Sequence, residues 1–199
     1  VVIKTEIRGY TKTDFKVRSE NDEKYLEGYF IRYNEETELW PGAYESVAPE
    51  SVRSSLKSND IRCLFNHNTG AVLGRTGNGT LELKSDDKGL YGKVKINQND
   101  REAMDVVARV ERGDINACSF GFNGIDEDIE NRDDGTTKST LKDIDLHEVS
   151  VVTFPAYPTT SIQARKKDFE DHLERKINLR KQKLKERLYG KAADDSKKA

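Results

Sequence analysis

The sequence predicts an α+β fold that is β-rich, mostly antiparallel and barrel-like, with a few helices and a C-terminal amphipathic helix. Two observations lead to this prediction. Apolar runs of strand length recur along most of the chain and are separated by turn-forming residues. Helical periodicity appears in only three segments, two of them between the strands. Many strands joined by short turns, with few helices between them, favour an antiparallel sheet covered by helices.

Composition and charge predict two units. The chain has 199 residues, of which 35% are charged and 34% hydrophobic, and its net charge is −2. Residues 164–199 carry 13 Lys and Arg against 7 Asp and Glu, so the −2 of the whole chain leaves −8 on residues 1–163. This change predicts a folded domain over 1–163 and a charged helical or disordered tail over 164–199.

The compartment follows from what the sequence lacks. Two cysteines, Cys63 and Cys118, are too few for a disulfide scaffold and favour a reducing environment. No apolar run approaches the ~20 residues of a membrane span, and the first residues lack the pattern of a signal peptide. We therefore expect a soluble intracellular protein with no membrane partner.

Turn residues and apolar runs predict the strands in chain order. A hairpin is expected around residues 86–89, and a second, acidic hairpin around Asp133-Asp134-Gly135. The return strand of the second hairpin should stop before Pro155. The expected strands are 25–33, 61–66, 71–76, 81–85, 90–96, Ile115–Phe122 and the segment that ends at Phe154.

Two helices are expected within the domain. Pro49 suits a first helical turn, and Val52 and Leu56 share a face, so a short helix is predicted over 49–57. A longer helix is predicted over 100–112. In that helix Asn99 is the expected N-cap, Glu102 its capping-box partner and Gly113 the C-terminal stop.

The tail is predicted to form one amphipathic helix with a narrow apolar stripe, followed by a disordered end after Gly190. The stripe consists of Phe169, Leu173, Ile177, Leu184 and Leu188. One interpretation is a solvated terminal helix. The other is an assembly element that pairs with a second copy or with helices of a partner. Nucleic acid is not an expected partner, because only Phe169 and Tyr189 interleave the basic residues.

Three reactive groups lie in or beside strongly apolar strands: His67, Ser119 and the adjacent pair His147-Glu148. A serine becomes a nucleophile when a base accepts its proton, and the base needs a partner that orients it. The three groups could form such a set in space. From residue types alone, a structural histidine, a buried core hydroxyl and a solvated carboxylate are the more common roles.

Cys118 is an alternative nucleophile, since a thiol paired with a histidine is also competent. Adjacent strand residues point to opposite faces, so Cys118 and Ser119 cannot both meet His67. Free cysteine is among the most buried residue types, which favours a core position for Cys118. Cys63 and His67 alone do not make a metal site, and we expect no cofactor and no metal.

Ordered landmarks over about residues 25–163 resemble the prohead maturation proteases of tailed phages, which are related to the herpesvirus assemblins. The strand around Ser119-Phe120-Gly121-Phe122 and the final segment from Glu148 are the most specific of these landmarks. In chain order they are Gly28-Tyr29-Phe30, Trp40-Pro41-Gly42-Ala43-Tyr44, Leu64-Phe65-Asn66-His67-Asn68, Val72-Leu73-Gly74-Arg75, Gly89-Leu90, Ile115–Phe122 and Glu148–Ala156.

The resemblance implies a serine endopeptidase in which Ser119 is the nucleophile and His67 the base. The third member is Glu148 by its place in the motif, with His147 as the alternative, because the herpesvirus relatives use a second histidine. The two residues are adjacent, so only one of them can face His67. Gly121 is a candidate oxyanion donor by its proximity to Ser119. Asn68 departs from the family pattern, in which a carboxylate often follows the histidine.

The resemblance also implies partners and a location. The expected substrate is the scaffolding segment of a major capsid protein, and self-cleavage of the basic tail is expected as well. A homodimer is expected by analogy with the herpesvirus relatives. The site of action would be the assembling procapsid in the host cytoplasm. The alternative function is a catalytically inactive capsid-assembly scaffold that keeps the protease fold.

Overall fold

The structure is a computed structural model that describes residues 5–11, 15–155, 174, 177, 178 and 180–182. Eleven strands and two α-helices are assigned in these residues. The strands are β1 Glu6–Thr11, β2 Lys16–Glu20, β3 Glu23–Arg32, β4 Thr37–Trp40, β5 Ala43–Val47, β6 Arg62–Phe65, β7 Asn68–Arg75, β8 Leu81–Ser85, β9 Gly89–Lys95, β10 Ala117–Asn131 and β11 Thr137–Val152. The helices are α1 Ser55–Ser58 and α2 Arg101–Arg112, and a 3-10 turn spans Thr76–Asn78.

The strands form two sheets. The larger sheet has the order β1-β10-β11-β5-β4, and β6 and β7 extend it beside the other half of β11. Strands β5 and β6 both run parallel to β11, whereas the other pairs are antiparallel. The smaller sheet has the order β2-β3-β9-β8 and is antiparallel throughout. The predicted β-rich, mostly antiparallel class is therefore confirmed.

The barrel-like closure expected from the sequence is not formed. Within the described residues, β7 pairs only with β6, and β4 only with β5, so the larger sheet keeps open edges. Residues of both sheets instead share one hydrophobic core, to which α2 contributes Val106, Val107 and other side chains. Its largest fully buried side chains are Phe30, Phe120 and Phe122. Burial of each such ring typically stabilises the fold by about 1.5–3 kcal/mol.

Helix α2 confirms the predicted segment but not its cap. Asp100, and not Asn99, is the N-cap, and its carboxylate accepts hydrogen bonds from the backbone N–H groups of Glu102 and Ala103. Asn99 is instead held in the preceding turn, where its N–H donates to the side chain of Asn97. Gly113 ends the helix in the left-handed conformation, as predicted.

The helix predicted over 49–57 is wrong in extent, because only Ser55–Ser58 is α-helical. Before it, the N–H of Ser51 donates to Ala48 O and that of Arg53 to Glu50 O, which are turn bonds of three-residue spacing. The Ser55 hydroxyl donates to the carbonyl of Ile144 on β11 at 2.7 Å. The turn bonds replace the four-residue helical pattern before Ser55, and the Ser55 bond fastens the short helix to β11.

Backbone contacts divide the chain into two compact units, Val1–Pro158 and Thr159–Ala199. Most of the expected tail helix lies outside the described residues, including Phe169, Leu173, Leu184 and Leu188. The described tail residues 174, 177, 178 and 180–182 are helical and exposed. No helix in the described part of the chain is long and apolar enough to cross a membrane.

Candidate active site

Ser119 and Glu148, two of the reactive residues predicted from the sequence, lie on one face of the larger sheet. In the antiparallel pair β10–β11, Ser119 lies opposite Ser150, and Gly121 opposite Glu148. Residues two apart on a strand share a face, so Ser119, Ser150 and Glu148 all point to the same side. The other side of the same strands carries the apolar residues Phe120 and Val149, which belong to the core.

His67 is positioned by a two-residue hairpin turn between β6 and β7. Phe65 and Asn68 pair across the turn, and both central residues have positive φ, 51° for Asn66 and 58° for His67. Positive φ at both positions is the requirement of a type I′ turn, and Asn tolerates it well. The turn is fastened to β11, because Asn66 N donates to Val151 O at 3.0 Å and Asn66 Oδ1 accepts from Thr153 N at 2.8 Å.

The turn brings His67 to Glu148. The distance between Nδ1 of His67 and Oε1 of Glu148 is 2.6 Å, and the two side chains are only 16% and 12% exposed. The other carboxylate oxygen of Glu148 accepts a hydrogen bond from the Ser150 hydroxyl. Both oxygens of the carboxylate are thus engaged, which holds the imidazole in one orientation.

Because Gly121 has no side chain, the carboxylate of Glu148 can lie against its backbone. A Cβ atom at Gly121 would lie 2.5 Å from Oε1 of Glu148, the oxygen that contacts His67. Any larger residue would therefore displace the carboxylate. This steric role differs from the oxyanion role expected from the sequence, which remains a prediction.

Ser119 is fully buried, and its hydroxyl has a partner other than His67. Oγ of Ser119 donates to the backbone carbonyl of Arg8 on β1 at 2.7 Å. Nε2 of His67 is buried and has no hydrogen-bond partner in the described residues. The structure thus joins His67 to Glu148 and places Ser119 on the same sheet face, with its hydroxyl directed to β1.

His147, the alternative third member, faces away from His67. Its Nε2 accepts a hydrogen bond from Asn123 at 2.7 Å and lies 3.5 Å from Asp145. The side chain is 41% exposed. The alternation of side chains along β11 accounts for this, because Glu148 occupies the inward position.

Both thiols lie in the core. The Cys118 thiol points away from Ser119 and donates to the carbonyls of Tyr29 and Phe30 at 3.4 and 3.3 Å. Burial raises the pKa of the Cys63 thiol above its ordinary value, and the charge of Glu148 raises it further. The core position predicted for Cys118 is confirmed. No group of three potential metal ligands occurs in the described part of the chain.

Sequence reasoning missed Ser150 and Arg8, which bond to Glu148 and Ser119, and Glu45, which binds the side chain of Arg8. Ser150 could have been found, because it lies two positions after Glu148 on a predicted strand and must share its face. Arg8 and Glu45 carried no comparable signal, since their contact joins the first strand to the fifth across 37 positions.

The sheet face that holds Ser119 also carries a histidine bound to a carboxylate, and these three side-chain types are the ones that serine hydrolases use. The family model for caudovirus prohead serine proteases matches residues 13–175. The chain therefore belongs to the caudovirus prohead serine protease family. Membership assigns it a peptidase role in the maturation of the phage capsid.

The chain is also similar to two phage proteases. The prohead protease of Enterobacteria phage HK97 is 25% identical over 185 residues, which cover 86% of this chain and 77% of that protein. The solved structure of the bacteriophage T4 capsid assembly protease aligns with a TM-score of 0.46 and 11% identity. That alignment covers 74% of this chain and 98% of the T4 chain.

Proposed function

We propose that this protein is a serine endopeptidase of the procapsid in which Ser119 is the nucleophile, His67 the general base and Glu148 the residue that orients it. The observation that carries the proposal is the 2.6 Å contact between His67 Nδ1 and Glu148 Oε1 on the sheet face that also holds Ser119. A carboxylate at Nδ1 keeps the proton on that nitrogen and leaves Nε2 free to accept another.

The reaction is acyl transfer. Ser119 Oγ attacks the scissile carbonyl carbon while its proton passes to Nε2 of His67. The imidazolium is stabilised by the charge of Glu148 and returns the proton to the leaving amine. Water then hydrolyses the acyl-enzyme by the same route. The backbone N–H of Gly121 is proposed as an oxyanion donor, because it lies two residues from Ser119 on the same strand.

For this reaction the Ser119 hydroxyl has to leave the Arg8 carbonyl and turn toward Nε2 of His67. A rotation about χ1 exchanges the partners of a serine hydroxyl without moving the backbone. Catalytic hydrogen bonds often form only when substrate is bound. The absence of a hydrogen-bond partner for Nε2 in the described residues agrees with such a rearrangement. A buried acceptor without a partner destabilises the protein, and a hydrogen bond from Ser119 would remove that cost.

The proposed substrate is the scaffolding segment of a major capsid protein, cleaved inside the assembling procapsid in the host cytoplasm. Self-cleavage in the basic segment 164–199 is part of the same proposal. Family membership supports the procapsid setting and contact with the capsid protein. A homodimer is proposed by analogy with the herpesvirus relatives.

A second candidate is an inactive assembly scaffold that retains the fold. The observation that favours it is the burial of Ser119, whose hydroxyl is occupied by the Arg8 carbonyl. The two candidates differ in what happens when Ser119 is removed. A protease loses all processing, whereas a scaffold retains its effect on assembly.

The test is Ser119→Ala in the full chain, co-expressed with the major capsid protein of the same phage. We expect intact capsid protein on gels and by mass spectrometry, no shortening of the protease chain, and an unchanged circular dichroism spectrum. Ser58→Ala, an exposed serine of α1, is the matched control and should process normally. Normal processing by Ser119→Ala would exclude Ser119 as the nucleophile.

A further inference from the structure

A cavity of about 290 Å³ lies between the β6–β7 hairpin and helix α2. Its apolar lining comes from both sides and consists mainly of Phe65, Leu73, Ala103 and Val106. Ligand pockets usually measure about 300–1,000 Å³, so this cavity is at the lower end of that range. It is therefore suited to one large apolar side chain rather than to a whole cofactor.

An irregular stretch of β7 borders this cavity. Phe65 pairs with Asn68, but the preceding residue, Leu64, pairs with Val72. Strand β7 therefore holds three extra residues, 69–71, between the two pairs. A bulge bends its strand and redirects side chains, and bulges are common at sheet edges. Here the bulge brings Ala71 to the cavity and leaves the neighbouring Val72 39% exposed.

The cavity is separate from the sheet face that holds Ser119. Phe65 pairs with Val151, a residue of the core. The residue before it, Ser150, pairs with Ser119 and points to the opposite face. The cavity nevertheless adjoins the turn that carries His67, because the two residues that pair across that turn both line it. A ligand in the cavity would lie beside the turn of the proposed base without covering the nucleophile.

The charged side chains that line the cavity form its mouth, and they make it acidic. Three carboxylates, those of Asp100, Glu102 and Asp105, stand against one cation, Arg109. One positive and three negative charges leave −2 at the mouth. Glu102 and Asp105 are exposed, and neither forms an ion pair with another described residue. A mouth of this charge attracts a positively charged partner.

An apolar cavity with a charged mouth has the form of a peptide-anchoring site. In protein interfaces a large side chain buried in a pocket supplies much of the binding energy. Charges at the rim steer the encounter and select the partner. The cavity provides for the first of these, and the carboxylates at its mouth provide for the second.

We propose that the cavity is a docking site for a peptide segment that places one large apolar side chain inside it and a lysine or arginine at the acidic mouth. The segment belongs to the capsid-protein substrate, and this assignment of the occupant rests on the proposed function. Docking beside the turn of His67 raises the effective concentration of substrate at the candidate active site. It contacts none of the reacting atoms, so its contribution lies in KM rather than in kcat.

The first test measures binding by fluorescence anisotropy in the full chain with Ser119→Ala, so that the peptides are not consumed. One labelled peptide has a phenylalanine flanked by lysines, a second has serine in place of the phenylalanine, and a third has glutamates in place of the lysines. We expect the first to bind roughly tenfold or more tightly than either of the others. Equal binding of the first and second would overturn the apolar anchor, and equal binding of the first and third would overturn the role of the acidic mouth.

Two variants locate the binding. Ala103→Leu fills the cavity from α2 and should weaken binding of the phenylalanine peptide roughly tenfold. Its matched control is Ala108→Leu, because Ala108 is an exposed alanine of the same helix that does not line the cavity. Asp105→Lys changes an exposed side chain, so it serves as the test even if Ala103→Leu does not fold, and binding should fall about threefold or more. Asp87→Lys, in the exposed turn between β8 and β9, is its control.

Unchanged binding in Asp105→Lys and in a folded Ala103→Leu would overturn the docking site. Replacing the phenylalanine of the first peptide by a photoreactive benzophenone gives an independent readout. Irradiation should cross-link it to β7 or α2, and mass spectrometry identifies the modified residues. Cross-links confined to other elements would also overturn the docking site.

Capsid-protein processing tests the identity of the occupant. In the chain that retains Ser119, Asp105→Lys and a folded Ala103→Leu should raise KM for the capsid protein by the same factors as they weaken peptide binding, with little effect on kcat. Weaker peptide binding with a normal KM would exclude the substrate as the occupant. The reaction of Ser119 with an aminoalkyl diphenyl phosphonate, which carries only one side chain, reports on the nucleophile independently of docking. Absence of that adduct in every folded protein would overturn the proposed nucleophile, whereas the docking site is decided by peptide binding alone.

Discussion

Nδ1 of His67 lies 2.6 Å from Oε1 of Glu148, although 81 positions separate the two residues in the sequence. Strand β6 makes this contact possible, because it runs parallel beside the end of β11 with Arg62 opposite Glu148. The type I′ turn after β6 then folds His67 back over the strand. The contact depends on a parallel register and on a turn with two residues of positive φ.

Glu148→Gln tests the charge of this contact. The amide keeps the size of the side chain but cannot stabilise an imidazolium, and the corresponding change in a serine protease lowers kcat about 10⁴-fold. We expect the rate at which a peptidyl diphenyl phosphonate labels Ser119, and the rate of capsid-protein processing, to fall 10²–10⁴-fold. The melting temperature should change little. His147→Ala, which alters an exposed side chain facing the other way, should retain near-normal activity. The reverse order of severity would make His147 the third member.

Gly121→Ala tests the space beside the carboxylate. The added methyl would lie 2.5 Å from Oε1 of Glu148 and would push it away from His67. We expect activity to fall by roughly tenfold or more, because small misplacements of catalytic groups cost up to about 10² in rate. Gly124→Ala on the same strand is the control, since its closest neighbour is a flexible Glu6 oxygen at 3.3 Å. Equal activity of the two variants would contradict the proposed steric role.

Ser150→Ala tests the second oxygen of Glu148. The change removes one hydrogen bond to the carboxylate, which is worth about 1.5–3 kcal/mol when one partner is charged. We expect a reduced labelling rate of Ser119 and a smaller effect on melting temperature. Ser139→Ala is the matched control, because Ser139 is another buried serine of β11 whose hydroxyl donates to a carboxylate, that of Glu127. If both variants lose activity equally, Ser150 acts through stability alone.

The cysteines give a prediction about alkylation. Cys63 and Cys118 are fully buried, and the raised pKa of Cys63 keeps its thiolate scarce until the pH is well above the usual range for a thiol. Iodoacetamide at pH 7–8 should leave activity intact, and mass spectrometry should find both thiols unalkylated until the protein is denatured. Loss of activity in step with alkylation of Cys118 would identify a thiol nucleophile instead.

Local sequence signals predicted the elements best where one short-range interaction decides the conformation. The hairpin between β8 and β9 follows from its turn residues, and Asp86 closes it by accepting from the N–H groups of Lys88 and Gly89. Gly113 ends α2 for a similarly local reason. The helix after Pro49 was overestimated because the segment before Ser55 forms turns, in which the carbonyl of Ser51 accepts from Ile144 N on β11 instead of from a helical N–H. Such a contact with a distant strand leaves no trace in the local periodicity.

The candidate active site also divides into features that local sequence predicts and features that depend on contacts between distant strands. The residue types and their motif order predicted His67, Ser119 and Glu148 as the catalytic residues, and these roles stay a prediction. The choice of Glu148 over His147 agrees with the geometry, in which strand alternation turns one of them inward. The engagement of Ser119 by Arg8 was not predicted, because it depends on which strand pairs with β10 on its second edge.

The sequence by itself determined the β-rich class and the positions of most strands, and it supplied the candidate catalytic side chains, because alternation, turn chemistry and residue type are local properties. Only the tertiary structure decided that the sheets stay open, that Glu148 holds His67, and that Arg8 contacts Ser119 through its carbonyl and Glu45 through its side chain. Each of these depends on strand pairing and register between distant segments. A shift of one residue would turn every side chain of a strand to the opposite face, and the total burial of the folded chain selects between such registers.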